Sequence, residues 1–149
     1  MNIKNLISIA SGVYFLAAIC LQAQTTNSTQ QILRMQSFRE GLVLSGTNQP
    51  SNAENKELLE VLTHLEEPWW TSGVEQFLHD YPNSPWAASL RYDYACFCRR
   101  TGRTTKALEN FETAWSLVKG NDDPQSLRLG GAILATGQIC FQAWDVSKN

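Results

Sequence analysis

The side chains able to do chemistry in this chain are few and scattered. Cys96 and Cys98 lie two apart, Cys140 is far downstream, and Cys20 sits near the start. His64 and His79 are isolated, and the adjacent carboxylates Glu66–Glu67 and Asp122–Asp123 fall at the ends of helix-like stretches. A nucleophile needs a base within reach and a third group to orient that base. Cys96 with His79 is the pairing that comes nearest, and no orienting group is identifiable for it. The Cys-x-Cys spacing suits neither a redox pair nor a zinc knuckle. On a helix its two thiols point to different faces. An oxidising compartment would allow one of them to pair with Cys140, whereas the plainer reading is that all three are small buried hydrophobes. Capping and solvation account for the carboxylate pairs better than acid–base catalysis does. The chain is therefore expected not to be an enzyme, with no catalytic, metal or cofactor residues. A small secreted hydrolase or thiol-dependent enzyme is the alternative, to be revived by selective labelling of Cys96 with a thiol probe.

The 149 residues hold one modest domain, less whatever the N-terminus removes. Charged residues make up 17% of the chain and the net charge is −2, so no field drawing in nucleic acid is expected. Trp69, Trp70, Trp86, Trp115 and Trp144 point to a packed core or a contact surface rather than to disorder.

The start reads as a secretory leader over 1–23. Lys4 supplies the positive end, Leu6 to Leu21 a mostly apolar run broken by Ser8, Ser11 and Gly12, and Ala23 a small residue before a polar stretch. The run is shorter than the roughly 20 apolar residues of a bilayer span. Cleavage near Ala23 is thus expected to leave an exported chain, periplasmic or extracellular, without a stable membrane span. A chain tethered by an uncleaved N-terminus is the alternative. Residues 24–50 are weakly patterned and are expected to form a poorly ordered linker, with a short extended piece at GLVLS.

From residue 51 to 149 the pattern becomes helical, with helices expected near 52–66, 72–80, 85–100, 104–118 and 124–145. Ser51 and Glu54 stand at capping-box spacing ahead of Leu58, Leu59, Val61, Leu62 and Leu65. Pro68 stops that run, and Ser72 with Glu75 repeats the box before Val74, Phe77 and Leu78. In DYPNSPWAAS, Pro82 lacks a donor and ends one helix. Ser84 and Pro85 then form a cap and first position that open the next, making a tight corner. The helix over 85–100 carries an apolar side with Leu90, Tyr94, Ala95 and Cys98. Its more polar side holds Ser89, Tyr92, Asp93, Cys96 and Arg99. Gly102 supplies a left-handed cap. Ala107, Leu108, Phe111, Ala114, Trp115 and Val118 share a face of the following helix, and Asp123–Pro124 start the last one.

Small residues at Ala95, Ala107 and Ala114 around Gly102 give a spacing that resembles the tetratricopeptide repeat, a pair of antiparallel helices of about 34 residues. The repeat would begin near Ala88 and use Phe111 as its aromatic. Arg91 stands where the family has a tryptophan, Cys98 where it has a tyrosine, and the terminal proline is absent. A second repeat would restart near Pro124 with Gly131 as its small residue. Over about 52–138, FLHDYPNSPWAASL, RRTGRTTKALENFETAWSLVK and DPQ look like the helical N-terminal region of large secreted bacterial Rhs/YD-repeat proteins. The YPNSP corner also resembles periplasmic tetratricopeptide proteins of envelope assembly.

These resemblances imply an all-α scaffold of stacked antiparallel helix pairs, of tetratricopeptide-like solenoid type, with about five helices after the leader. They imply export and protein or peptide partners, or downstream domains of a longer chain, met on a concave face that would include Ser89, Tyr92, Asp93, Cys96 and Arg99. The lysines and asparagines that clamp a C-terminal carboxylate in chaperone-binding relatives are not reproduced. Only VSKN follows Asp145. Leu127, Ile133, Ile139 and Trp144 are accordingly expected to form an uncovered apolar surface through which the chain could associate with itself.

Overall fold

Ser51 opens the helical pattern of 51–149 as the sequence demands. Its hydroxyl accepts the Glu54 amide at 3.2 Å while the Glu54 carboxylate reaches back to the Ser51 amide, a complete capping box. The computed structural model describes residues 27–146 except positions 36, 39, 40 and 68, with side chains described through Cys140. The expected leader over 1–23, the stop at Pro68 and the side chain of Trp144 lie outside the described residues. Within them there are six helices and no strand. They are α1 (27–34), α2 (Asn52–Thr63), α3 (Trp70–Asp80), α4 (Ala87–Arg100), α5 (Thr104–Val118) and α6 (Pro124–Val146). Helices adjacent in sequence from α2 onward pack on one another in antiparallel fashion, and α4 also touches α6.

Local chemistry sets most of the boundaries, and three differ from the expected ones. Helix α2 ends at Thr63 rather than near 66, with the His64 amide donating to the Val61 carbonyl at 3.2 Å. Helix α3 begins before Ser72, whose hydroxyl donates back to the Trp69 carbonyl at 2.6 Å instead of capping. Packing decides this start: Trp70 stands edge-on to Phe97, with ring centroids 4.6 Å apart, so the first turn is held against α4. At the third boundary, α4 begins at Ala87 rather than at Pro85. Ser84 still works as a stop-and-start residue, accepting the Trp86 amide on its hydroxyl at 3.3 Å and the Ala87 amide on its carbonyl at 2.9 Å. The turn that precedes α4 is therefore tighter than a helix.

The α4–α5 joint follows its sequence closely. Gly102 has φ +78°, Arg103 N–H donates to the Cys98 carbonyl at 2.8 Å, and Gly102 N–H donates to the Arg99 carbonyl at 3.2 Å. That is the paired bonding of a Schellman cap. Ala95, Ala107 and Ala114 are all fully buried, which lets the two helix axes come close. Asp123 caps α6, its carboxylate accepting the Ser126 amide at 2.9 Å and the Gln125 amide at 3.1 Å.

The 24–50 stretch contributes to the core in its described part. Ile32 of α1 and Leu42 are buried. A polar relay crosses beneath them: Trp86 Nε1 donates to Asn55 Oδ1 at 2.9 Å, and Asn55 Nδ2 donates to Thr29 Oγ1 at 2.8 Å. Trp86 and Asn55 have no exposed surface, so this relay satisfies polar groups that burial would otherwise leave at a cost of about 1–3 kcal/mol each.

Candidate protein-docking site

The polar side of α4 is divided between two environments. Ser89 is 1% exposed and is bonded to an irregular segment, residues 41–46. The Val43 amide donates to Ser89 Oγ at 3.2 Å, and Ser89 Oγ donates to the Val43 carbonyl at 2.8 Å. One hydroxyl, both donor and acceptor, thus does for Val43 what a neighbouring strand would do. The same segment is pinned further along. The Ser45 amide donates to the Pro85 carbonyl at 3.0 Å, and the Gly46 amide reaches Asp123 Oδ2 at 3.2 Å. It therefore straps the start of α4 to the start of α6.

Tyr92, Asp93, Cys96 and Arg99 come together beyond the strap. With Ser37, Phe38, Arg100 and Thr136 they line a polar cleft of about 350 Å³. Tyr92 and Asp93 are buried in its wall, Cys96 is half-buried and Arg99 is exposed. The Tyr92 hydroxyl shares a hydrogen bond with Thr136 of α6 at 3.3 Å. Much of the stripe therefore faces other parts of the same chain.

The thiols are not poised for attack. Burial pushes Cys96 up, with a Tyr92 hydrogen bond opposing, and burial likewise raises Cys98 and Cys140. All three are free thiols. His79 is exposed, bonded to Asp80 at 2.9 Å, and lines a different cleft from Cys96.

An apolar groove lies between α5 and α6. Leu108, Phe111 and Trp115 of α5 face Ile133, Leu134 and Gly137 of α6 across an open channel of about 510 Å³. The spacing of the α5 residues, three and four apart, puts them along one stripe. Gly130 lets α6 approach this wall. A Cβ there would stand 3.3 Å from the Trp115 ring, whereas a Cβ on Gly131 would meet nothing. The close-approach glycine is thus Gly130, not the expected Gly131. Of the surface expected to be uncovered, Leu127 is 61% and Ile139 57% exposed, while Ile133 is 2% exposed because it packs into the core. Leu134, not singled out by its sequence pattern, is 51% exposed at the groove's rim. Its signal was its place one residue after Ile133, which turns it out of the core.

Among the described residues no cluster of His, Cys, Asp and Glu could hold a metal ion, and no helix is long and apolar enough to cross a membrane. No family model matches the chain, and no curated protein and no solved structure is significantly similar to it.

Proposed function

We propose that this chain is an exported, non-catalytic helical scaffold of tetratricopeptide-like solenoid type that docks a protein segment along its α5–α6 groove. The observation carrying this reading is the open groove itself. Apolar surface left open beside a core marks interaction sites, and half-buried Leu108 and Trp115 flanking a buried Phe111, opposite exposed Leu134, are shaped to take the apolar face of another helix. The tetratricopeptide reading is supported by the close-packed α4–α5 pair with its small residues and Gly102 cap. Lys4, the apolar run after it and Ala23 support export. The likeness to Rhs/YD-repeat proteins favours a downstream domain of a longer chain as the docked partner.

Selection of displayed amphipathic peptides against the unmodified chain tests the groove. Selected peptides are expected to lose at least tenfold in affinity for Leu134→Lys and to bind Arg99→Glu normally. Peptides that bind Leu134→Lys as well as the unmodified chain would place docking elsewhere. Export is tested by intact mass of secreted material, expected to begin near Gln24; retention of Met1 would count against cleavage.

A further inference from the structure

A third cleft, distinct from the groove and from the α4 polar cleft, lies where α3, α4 and α5 converge. It encloses about 310 Å³ and is lined by Glu75, Leu78, Arg91, Tyr94, Lys106 and Asn110, with His79 at its margin. Its charges are unevenly matched. Glu75 accepts the Tyr94 hydroxyl and the Lys106 ammonium on one oxygen. Burial alone would raise the Glu75 pKa, but the bonds from Lys106 and Tyr94 and the nearby Arg103 charge hold it below its usual value. Glu75 is thus ionised, and its charge is answered by Lys106. His79 is taken by Asp80.

Among the described residues Arg91 has no such counterpart. Its guanidinium is half-buried and donates only to neutral acceptors, Asn110 Oδ1 at 3.3 Å and the Leu78 carbonyl at 3.4 Å. These are long contacts for a charged donor. Its Nε is buried with no hydrogen-bond partner among the described residues. Asn110 is itself fixed, since its Nδ2 donates to the Lys106 carbonyl at 2.9 Å, so its Oδ1 is held toward the guanidinium. Burial depresses Arg91, as it does any cation withdrawn from water without a counter-charge. A buried charge is ordinarily paired.

We propose that this cleft is a carboxylate-binding site centred on Arg91, taking a small organic acid or the acidic side chain of a partner. The guanidinium fork matches a planar carboxylate, Lys106 stands at the same cleft as a second donor, and Leu78 supplies an apolar wall for the attached carbon chain. Counting Arg91 and Lys106 against Glu75 leaves one positive charge. One carboxylate head group completes that balance, and a diacid such as glutarate keeps its second charge at the far end of its carbon chain, while a phosphate dianion would place both charges beside Glu75.

The test is a titration of the isotope-labelled full chain with sodium glutarate, sodium chloride holding ionic strength constant. The backbone amides of Leu78 and Asn110 and the Arg91 Nε–H resonance are followed. Saturable shifts are expected, at least tenfold weaker in affinity for Arg91→Gln and absent with chloride alone. Inorganic phosphate at pH 7 is expected to bind more weakly than glutarate. Failure to saturate, undiminished binding by Arg91→Gln, or phosphate binding tighter than glutarate would each overturn the site. If Arg91→Gln does not fold, Lys106→Gln replaces it with the same expectation of weakening. An Arg91 Nε–H resonance in the unmodified chain that ignores glutarate overturns the proposal regardless of the variants. To separate the two ligand sources, an acidic peptide with acetylated and amidated ends is compared with glutarate, and the tighter of the two names the natural class.

Discussion

The strap-covered face of α4 and the α5–α6 groove belong to neighbouring helices and have opposite fates. The first is polar in sequence and mostly covered, because a serine hydroxyl can satisfy both backbone groups of Val43. The second is apolar and open, with Leu134 at its rim 51% exposed. The difference teaches that polarity along a helix does not report exposure. A polar residue with both donor and acceptor capacity can be the anchor for an irregular backbone, while an apolar stripe can be left for a partner.

The largest effect is expected where the covering elements are tied to α4. Trp86→Ala should cost about 3–5 kcal/mol, since it empties a fully buried site and strands Asn55. A urea midpoint that barely moves would mean that α1 and α2 hold to α4 without the relay. Ala107→Phe should overpack the α4–α5 contact by about 1–3 kcal/mol. An unchanged melting temperature would show that the two axes are not in close approach there.

Ser89→Ala removes the anchor of the strap and is expected to cost about 1 kcal/mol. Hydrogen exchange should accelerate at Val43 and Ser45 and stay unchanged in α5; slow exchange at Val43 in the variant would show that the strap is held by Leu42 burial alone. On the open side, Leu134→Lys should alter stability by no more than about 0.5 kcal/mol while abolishing any concentration-dependent light scattering. Ile133→Lys is not an equivalent probe, because Ile133 is buried and its replacement would disturb the core. A clear loss of stability in Leu134→Lys would mean that the groove is closed in solution.

The smallest effect concerns acid. Hydrogen bonds from the Ser126 hydroxyl and amide, with those from Gly46 and Gln125, outweigh desolvation and hold Asp123 below its ordinary 3.8. A depressed folded-state pKa gives stability that is fully present above the unfolded value and is lost as pH falls through the folded one. Asp123→Asn should therefore differ from the unmodified chain by a constant amount near neutrality. The difference should shrink below about pH 3.8. A difference independent of pH throughout would show that the carboxylate charge does not secure the strap's end.

Legibility in the sequence tracked the range of the interactions. The Ser51–Glu54 box, the Gly102 cap and the Asp123–Pro124 start are each decided within a few residues, and each stands where its residue types require. Ser72 failed as a cap because Trp70, drawn onto Phe97 from another helix, started α3 earlier. Of the candidate residues, Tyr92, Asp93, Cys96 and Arg99 do share one cleft, since helical spacing alone puts them side by side. The Arg91 cleft was illegible because its members come from three helices whose relative placement no local pattern encodes.

By itself, then, the sequence determined an all-α chain, the turns between its helices and the apolar stripe of each, because propensity, caps and periodicity act over one or two turns of backbone. Only the tertiary structure decided which faces are covered. Val43 and Ser89 meet across 46 positions, and Gly46 and Ser126 across 80. Such contacts depend on how completed helices pack and on where an irregular segment can satisfy its amides. Neither is written in the spacing of any one helix.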